Sequence, residues 1–332
     1  MQVSDSRYTN SFDFLRILGA VGIAYLHSYD LLQREKINLS VIILGMFFTV
    51  SGYLIAKSAD RSTSIANYLW KRVLRIQPLL VVVCLMTVFI LGPVFTKLSI
   101  SDYFRSSATW QYFRTVFPVF GIQYSLPGVF KSNIAESGVN GSLWTLVLEE
   151  RAYLIMVPFL FLKKARKNLF AAFVVLLNII YLLYYYHIGG LGSHFFDAYR
   201  MQYYVLFFNS ALFYFFKFPF SKINSFATIV IVAVVYFFVQ KSIFATLYLL
   251  PFLTLLIGNK KTLFSQVAKK GDITYGLYVL AFPVQQSLIA LFNNDLQPQV
   301  LLFLTLLICT PLAYLSWHFI EQPFLSLRNK VS

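Results

Sequence analysis

Residues 77–95 read QPLLVVVCLMTVFILGPVF, nineteen positions without a charged side chain. An α-helix rises about 1.5 Å per residue, so this run spans roughly the 30 Å hydrocarbon core of a bilayer. A soluble domain has little use for it. Moving outward in windows of about 19 residues, comparable apolar stretches recur near 12–31, 41–57, 143–162, 168–186, 199–216, 224–239, 243–258, 273–292 and 299–318. Backbone groups in lipid must be satisfied within each segment. The expected fold is therefore all-α, a polytopic integral membrane helix bundle of about ten transmembrane helices. Composition agrees: 58% of the 332 residues are hydrophobic and 12% charged, too little polar surface for a soluble globule. Ten spans of about 20 residues leave roughly 130 for loops and tails, so a single transmembrane domain, 1–332, is expected. The first apolar stretch lacks an A-x-A cleavage site and reads as a retained span.

The net charge of +15 is carried by short basic clusters between apolar runs, a pattern that serves orientation and contact with anionic lipid, not nucleic acid. With the N-terminus inside, the inside segments hold 18 of the 28 Lys and Arg residues and the outside segments 8, with Arg16 and Arg151 within spans. An even number of spans and cytoplasmic N- and C-termini follow from that bias. Segment 96–142 then faces outward. Its aromatic part, Asp102 to Phe130, is interrupted by Arg105 and Arg114 and reads as an outer-face loop or interfacial lid, not an eleventh span. Cys84 and Cys309 lie in apolar segments, so neither a disulfide framework nor a Cys-rich metal site is expected.

Charged groups inside spans are expensive and become functional candidates by default. Arg16 and His27 are eleven residues apart in the first span, which puts them on one helix face about 16 Å apart. Asp13 and Asp30 stand three residues from them and can pair locally; snorkelling ends and a packed core histidine are the plainer alternative. Arg72 and Arg75 are at i, i+3 before the third span and can grip one anion, since guanidinium forks suit phosphate oxygens. Membrane anchoring also accounts for that cluster. Glu149 and Glu150 point about 100° apart, so at most one aims at a given partner, and a structural ion pair stands beside a catalytic carboxylate as a reading. His187 and His194 flank a glycine-rich loop without a third metal ligand at useful spacing, and His318 reads as interfacial.

These residues fall into an ordered series. Arg16-x10-His27 comes first, then Phe47-Phe48-Thr49-Val50-Ser51-Gly52-Tyr53-Leu54-Ile55 and Arg72-x-x-Arg75-x-x-Pro78. Ser142-Leu143-Trp144-Thr145-Leu146-Val147-Leu148-Glu149-Glu150 follows, then Ile273-Thr274-Tyr275-Gly276-Leu277-Tyr278 with Phe282-Pro283, and finally Phe319-Ile320-Glu321-Gln322-Pro323-Phe324. The series resembles membrane-bound acyltransferase family 3, the O-acyltransferases that modify cell-surface glycans. The resemblance runs from about residue 11 to 327.

The resemblance implies an enzyme of the bacterial inner membrane that takes an acyl group, commonly acetyl, from cytoplasmic acyl-CoA. The group goes to a hydroxyl of a cell-surface or lipid-linked polysaccharide, as in lipopolysaccharide or capsule O-acetylation, with no metal. It implies that His27 is essential and that Arg16, Arg72 and Arg75 handle the acyl-CoA donor. A sugar hydroxyl needs a base, which His27 can supply alone or while carrying the acyl group transiently. Asp30, Glu149 or Glu150 can orient its ring. The SGNH hydrolase-like domain fused to some members is expected to be absent. Three departures stand out: Arg151-Ala152 where Gln-aromatic is common, Gln77 where an aromatic precedes the proline, and Ala281 where His is frequent. A polytopic transporter or flippase for a glycan precursor is the competing reading, because intramembrane charges serve transport as well.

Overall fold

The structure is a computed structural model and describes residues 10–37, 39–136, 138–161, 166–188, 197–220, 223, 227, 230, 231, 234, 242–269 and 271–329. In chain order the main helices are α1 (Phe12–Asp30), α2 (Ser40–Asp60), α3 (Ile65–Met86), α4 (Trp144–Met156), α5 (Arg166–Tyr185), α6 (Ala198–Phe215), α7 (Leu250–Gly258), α8 (Thr274–Leu291) and α9 (Pro298–Ser316). Among the described residues there is no strand, only an isolated bridge between Thr96 and Val129. The all-helical expectation is met.

Four helices among the described residues are long and apolar enough to cross a membrane: Ser40–Asp60, Ile65–Phe95, Arg166–Tyr185 and Pro298–Ser326. The 77–95 run is thus the second part of a longer helix. α3 passes through a wide turn at Thr87–Leu91, where the Gly92 N–H reaches back to the Thr87 carbonyl, and continues to Phe95. Hydropathy sees only the apolar part, whereas helical backbone extends back through Lys71, Arg72 and Arg75 to Ile65. α1, α6 and α8 follow the stretches expected at 12–31, 199–216 and 273–292. The stretch expected at 143–162 is broken, because α4 stops at Met156 and a separate turn starts at Pro158. Proline lacks the N–H that would continue the ladder. Residues 243–258 form a wide turn, Ala245–Leu249, followed by the short α7. The stretch expected at 224–239 falls largely outside the described residues. Segment 102–130 contains only short helical pieces, Ile100–Arg105, Ser107–Gln111, Tyr112–Val116 and Pro118–Phe120.

Packing divides the chain into two units. One comprises Met1–Gly19, Ser40–Tyr68 and Arg151–Lys269, the other Ala20–Leu39, Leu69–Glu150 and Lys270–Ser332. In the first, α2 lies directly on α6: a Cβ at Gly52 would sit 2.0 Å from the Phe207 carbonyl oxygen, so only glycine allows this approach. The core of this unit is Phe12, Leu15, Val50, Phe220, Leu255 and Leu256. Pro251 cannot donate to the Leu247 carbonyl. Asn209 Nδ2 does so instead, at 3.1 Å, the kind of side-chain rescue that lets proline persist in membrane helices. In the second unit α8 packs on α9, around a core of Leu31, Leu32, Phe282, Leu288, Ile289 and Leu301. The Tyr275 hydroxyl, 2.9 Å from the Ile76 carbonyl, ties α8 to α3.

Candidate active site

His27 belongs to the second unit, and its imidazole meets the Phe282 ring edge-on, centroids 4.9 Å apart. One turn along α8, Gln285 Nε2 donates to the Ala24 carbonyl and to Ser28 Oγ, each at 2.8 Å. Those bonds fix the rotation of α1 about its axis and so aim His27. The residue is half-buried, and among the described residues neither of its ring nitrogens bonds a protein group. An imidazole held by packing alone keeps both nitrogens for a ligand. Asp30 pairs with Lys36 and lies close enough for its charge to act on the His27 ring. Arg16, on the same continuous α1, pairs with Asp13 at 3.5 Å, as its spacing suggests.

The Ser142 loop is docked on the same stretch of α8. A Cβ at Gly141 would lie 2.8 Å from the Phe282 ring, so glycine lets the loop backbone close on it. Pro283 deprives the Val279 carbonyl of its helical donor, and Asn140 Nδ2 takes that place at 2.9 Å. Ser142 Oγ donates to Asn140 Oδ1 at 2.7 Å. The Tyr278 hydroxyl donates to the Ser142 carbonyl and contacts Thr145 Oγ1.

At the other end of the motif Glu150, 8% exposed, has both oxygens engaged. Oε1 accepts from Gln77 Nε2 and Oε2 from the Val119 N–H, both at 2.7 Å. Glu150 therefore ties the Pro118–Phe120 turn to α3, and the unusual Gln77 is its partner. Glu149 is half-buried, close enough to Tyr275 and Tyr278 for its charge to act on both. Arg151, on the first unit, bonds the Tyr204 hydroxyl.

Arg75 is held by two acids. Nη2 is 2.8 Å from Asp272 and Nη1 3.5 Å from Glu321, and the guanidinium lies 5.9 Å from the Tyr275 ring centroid. Asp272 Oδ1 also accepts the Thr274 N–H at the start of α8, and Ser316 Oγ donates to Glu321. Arg72 and Arg328 both lie near enough for their charges to act on Lys71, and Trp70 Nε1 reaches the Leu327 carbonyl at 3.4 Å. One end of the unit thus gathers Lys71, Arg72 and Arg328 beside a fixed Arg75, a donor set suited to phosphate oxygens. Phe282 is seven residues beyond Tyr275, so His27 meets α8 about 10 Å along its axis from this basic end.

A sequence profile described as an acyltransferase domain matches residues 9–318. The chain belongs to acyltransferase family 3. It is 30% identical, over 96% of its own length and 96% of the relative's, to an O-acetyl transferase of Shigella phage Sf6. Nodulation protein 10 of Rhizobium leguminosarum bv. viciae is 28% identical over 170 residues, 46% of this chain and 44% of that one. No solved structure matches. This family 3 chain is therefore an acyltransferase akin to O-acetyltransferases, and its long apolar helices mark it as an integral membrane protein.

Several residues of this family 3 site were silent in the sequence. Glu321 stands in a quoted motif but only its contact with Arg75 gives it a role. Asp272 signals itself weakly, as an Asx side chain just before a helix, and Asn140, Gln285 and Arg328 carry no local signal. Among the described residues no three His, Cys, Asp or Glu side chains cluster as metal ligands. His318 packs on Tyr314, ring centroids 4.3 Å apart, and His194 lies outside the described residues.

Proposed function

We propose that this enzyme moves an acetyl group from cytoplasmic acetyl-CoA to a hydroxyl of a cell-surface or lipid-linked polysaccharide, working in the bacterial inner membrane with ten spans and cytoplasmic termini. The observation that carries the reading is the unengaged His27 imidazole, aimed by Phe282 and Gln285 and about 10 Å along α8 from a basic end. The phage relative's name, O-acetyl transferase, favours a hydroxyl acceptor. The inside bias of basic residues favours a cytoplasmic position for Lys71, Arg72, Arg75 and Arg328, on the side where acyl-CoA is made.

Acyl-CoA supplies an activated thioester carbonyl and phosphate oxygens. Lys71, Arg72 and Arg328 grip the phosphates, and Arg75, kept in one orientation by Asp272 and Glu321, presents a fixed guanidinium face. His27 removes the hydroxyl proton as the acceptor oxygen attacks the thioester carbon. The new C–O bond forms, the C–S bond breaks, and His27 returns its proton to the departing sulfur. Arg16 serves the donor, Glu149 the charge balance near Tyr278, and Glu150 positions the Pro118–Phe120 turn. The test is transfer of labelled acetyl from acetyl-CoA to glycan by purified protein in lipid, with insertion measured separately. His27→Gln and His27→Ala should insert normally and lose roughly 10²-fold to 10⁴-fold in rate, as expected for a lost general base. Near wild-type turnover in His27→Gln would remove the histidine from the chemistry.

A further inference from the structure

A cavity of about 310 Å³ opens where the last turn of α8 meets the end of the α3 extension and the segment around Ser132. It is lined by Phe95 and Phe130, whose ring centroids are 4.9 Å apart, and by Lys97, Ser132, Asn133 and Asn293. Asn133 is 5% exposed, and its Nδ2 is spent on the Gln286 carbonyl and Oε1, at 2.9 and 2.7 Å. Its Oδ1 is buried with no hydrogen-bond partner, so Asn133 serves the cavity wall as a fixed, enclosed group. Among the described residues the Lys97 amine, the Ser132 hydroxyl and the Asn293 amide also bond no protein group.

The frame around these groups is stiff. Asn294 accepts the Ile134 N–H at 2.9 Å and donates to the Ser132 carbonyl at 3.0 Å. Phe130 adopts φ 56°, a left-handed conformation that is strained for a bulky residue and persists only where surroundings enforce it.

We propose that this cavity is a saccharide subsite, taking one sugar unit of the acceptor glycan next to the unit acylated at His27. Sugar rings offer an apolar face to aromatic side chains and a fringe of hydroxyls that must both donate and accept. Phe95 and Phe130 meet the first need; the Ser132 hydroxyl and the Asn293 amide, each able to donate and accept, and the Lys97 amine meet the second. Ala290, on the cavity wall, is eight residues past Phe282, about 12 Å along α8 from the His27 contact. That separation suits a neighbouring unit of the same glycan. The inference rests on the glycan-acceptor reading above.

The probe is oligosaccharide released from the surface glycan of the producing cells, sized into single units and longer fragments, acylated from acetyl-CoA by purified protein in lipid. The wild type should show a KM at least about ten-fold lower for longer fragments than for single units, the scale of one or two hydrogen bonds. Ser132→Trp, which fills the cavity, and the Lys97→Ala, Asn293→Ala pair should shrink that length dependence to within about two-fold, with the acetyl-CoA KM reporting an intact donor end. If the variants keep the full length dependence, the subsite is wrong while the glycan reading stands. If they change only the dependence on anionic lipid, the cavity is a headgroup site and the proposal falls. If the wild type acylates no fragment of any length, the glycan reading fails and the subsite with it.

Discussion

Asn140→Ala, made alone and together with Pro283→Ala, isolates the bond that docks the Ser142 loop on α8. Asn140 is 1% exposed, and its Nδ2 supplies the donor that Pro283 removes from the Val279 carbonyl. Truncation leaves that buried carbonyl unmade, at about 1–3 kcal/mol, and takes from Ser142 Oγ a bond of about 1 kcal/mol. The single variant should therefore lose roughly 2–4 kcal/mol. With Pro283→Ala in place a helical N–H returns to Val279, so the first part disappears and the cycle should show a coupling of about 1–3 kcal/mol. Reversible unfolding in mixed micelles measures the four stabilities, and acyl transfer is read on the same samples. Stability should be partly restored in the double variant while turnover is not, because the helical N–H does nothing to hold Gly141 against Phe282. Additive stabilities within about 0.5 kcal/mol would refute the assignment of Asn140 as the proline's substitute donor.

Glu150→Gln should retain turnover within about ten-fold, far from the loss at His27, because its oxygens serve Gln77 and Val119; a collapse comparable to His27→Gln, in a folded protein, makes it a reacting carboxylate. Glu321→Gln leaves Arg75 paired with Asp272 alone, and should raise the acetyl-CoA KM by roughly ten-fold with little change for acceptor, against the fixed-guanidinium argument if the two KM values move together. Cysteines placed at Lys167 and Asn329 should resist an impermeant thiol reagent in intact cells; labelling at either one contradicts the cytoplasmic assignment of those segments.

What the sequence made legible was local. The charge-free run at 77–95, the eleven-residue spacing of Arg16 and His27, and the i, i+3 pairing of Arg16 with Asp13 depend only on helical geometry, and each has its counterpart in a helix or contact. Gly52 was quoted in a motif, but its reason, the Phe207 carbonyl at van der Waals range, lies on another helix. Contacts far apart in the chain were out of reach. Arg75 meets Glu321 across 246 positions, and no spacing rule links them, so from sequence Arg75 had only an anionic ligand or the membrane surface to answer to. Asp30 was weighed as a partner for His27, and the Lys36 of the following loop that shares it could not be seen from spacing. Apolar content could not locate the break at Pro158 either, because hydropathy averages over a missing N–H.

The wide turn at Trp317–Glu321, closed by the Gln322 N–H on the Trp317 carbonyl, fits one residue more into its loop of bonding than a regular helix would. The extra residue is therefore absorbed within the turn, and the helix beyond it keeps nearly the register of an uninterrupted one. Deleting one position between Trp317 and Ile320 would restore the ordinary pitch and leave everything beyond it nearly where it was, because five residues of the wide turn sweep about the angle that four sweep in a regular helix. A deletion in the regular run of α9 instead swings Glu321 by about 100° and carries it off Arg75 without touching either side chain. For an enzyme of this build, insertions and deletions in the regular part of the final helix are changes at the donor end, however far they lie from the arginine in sequence.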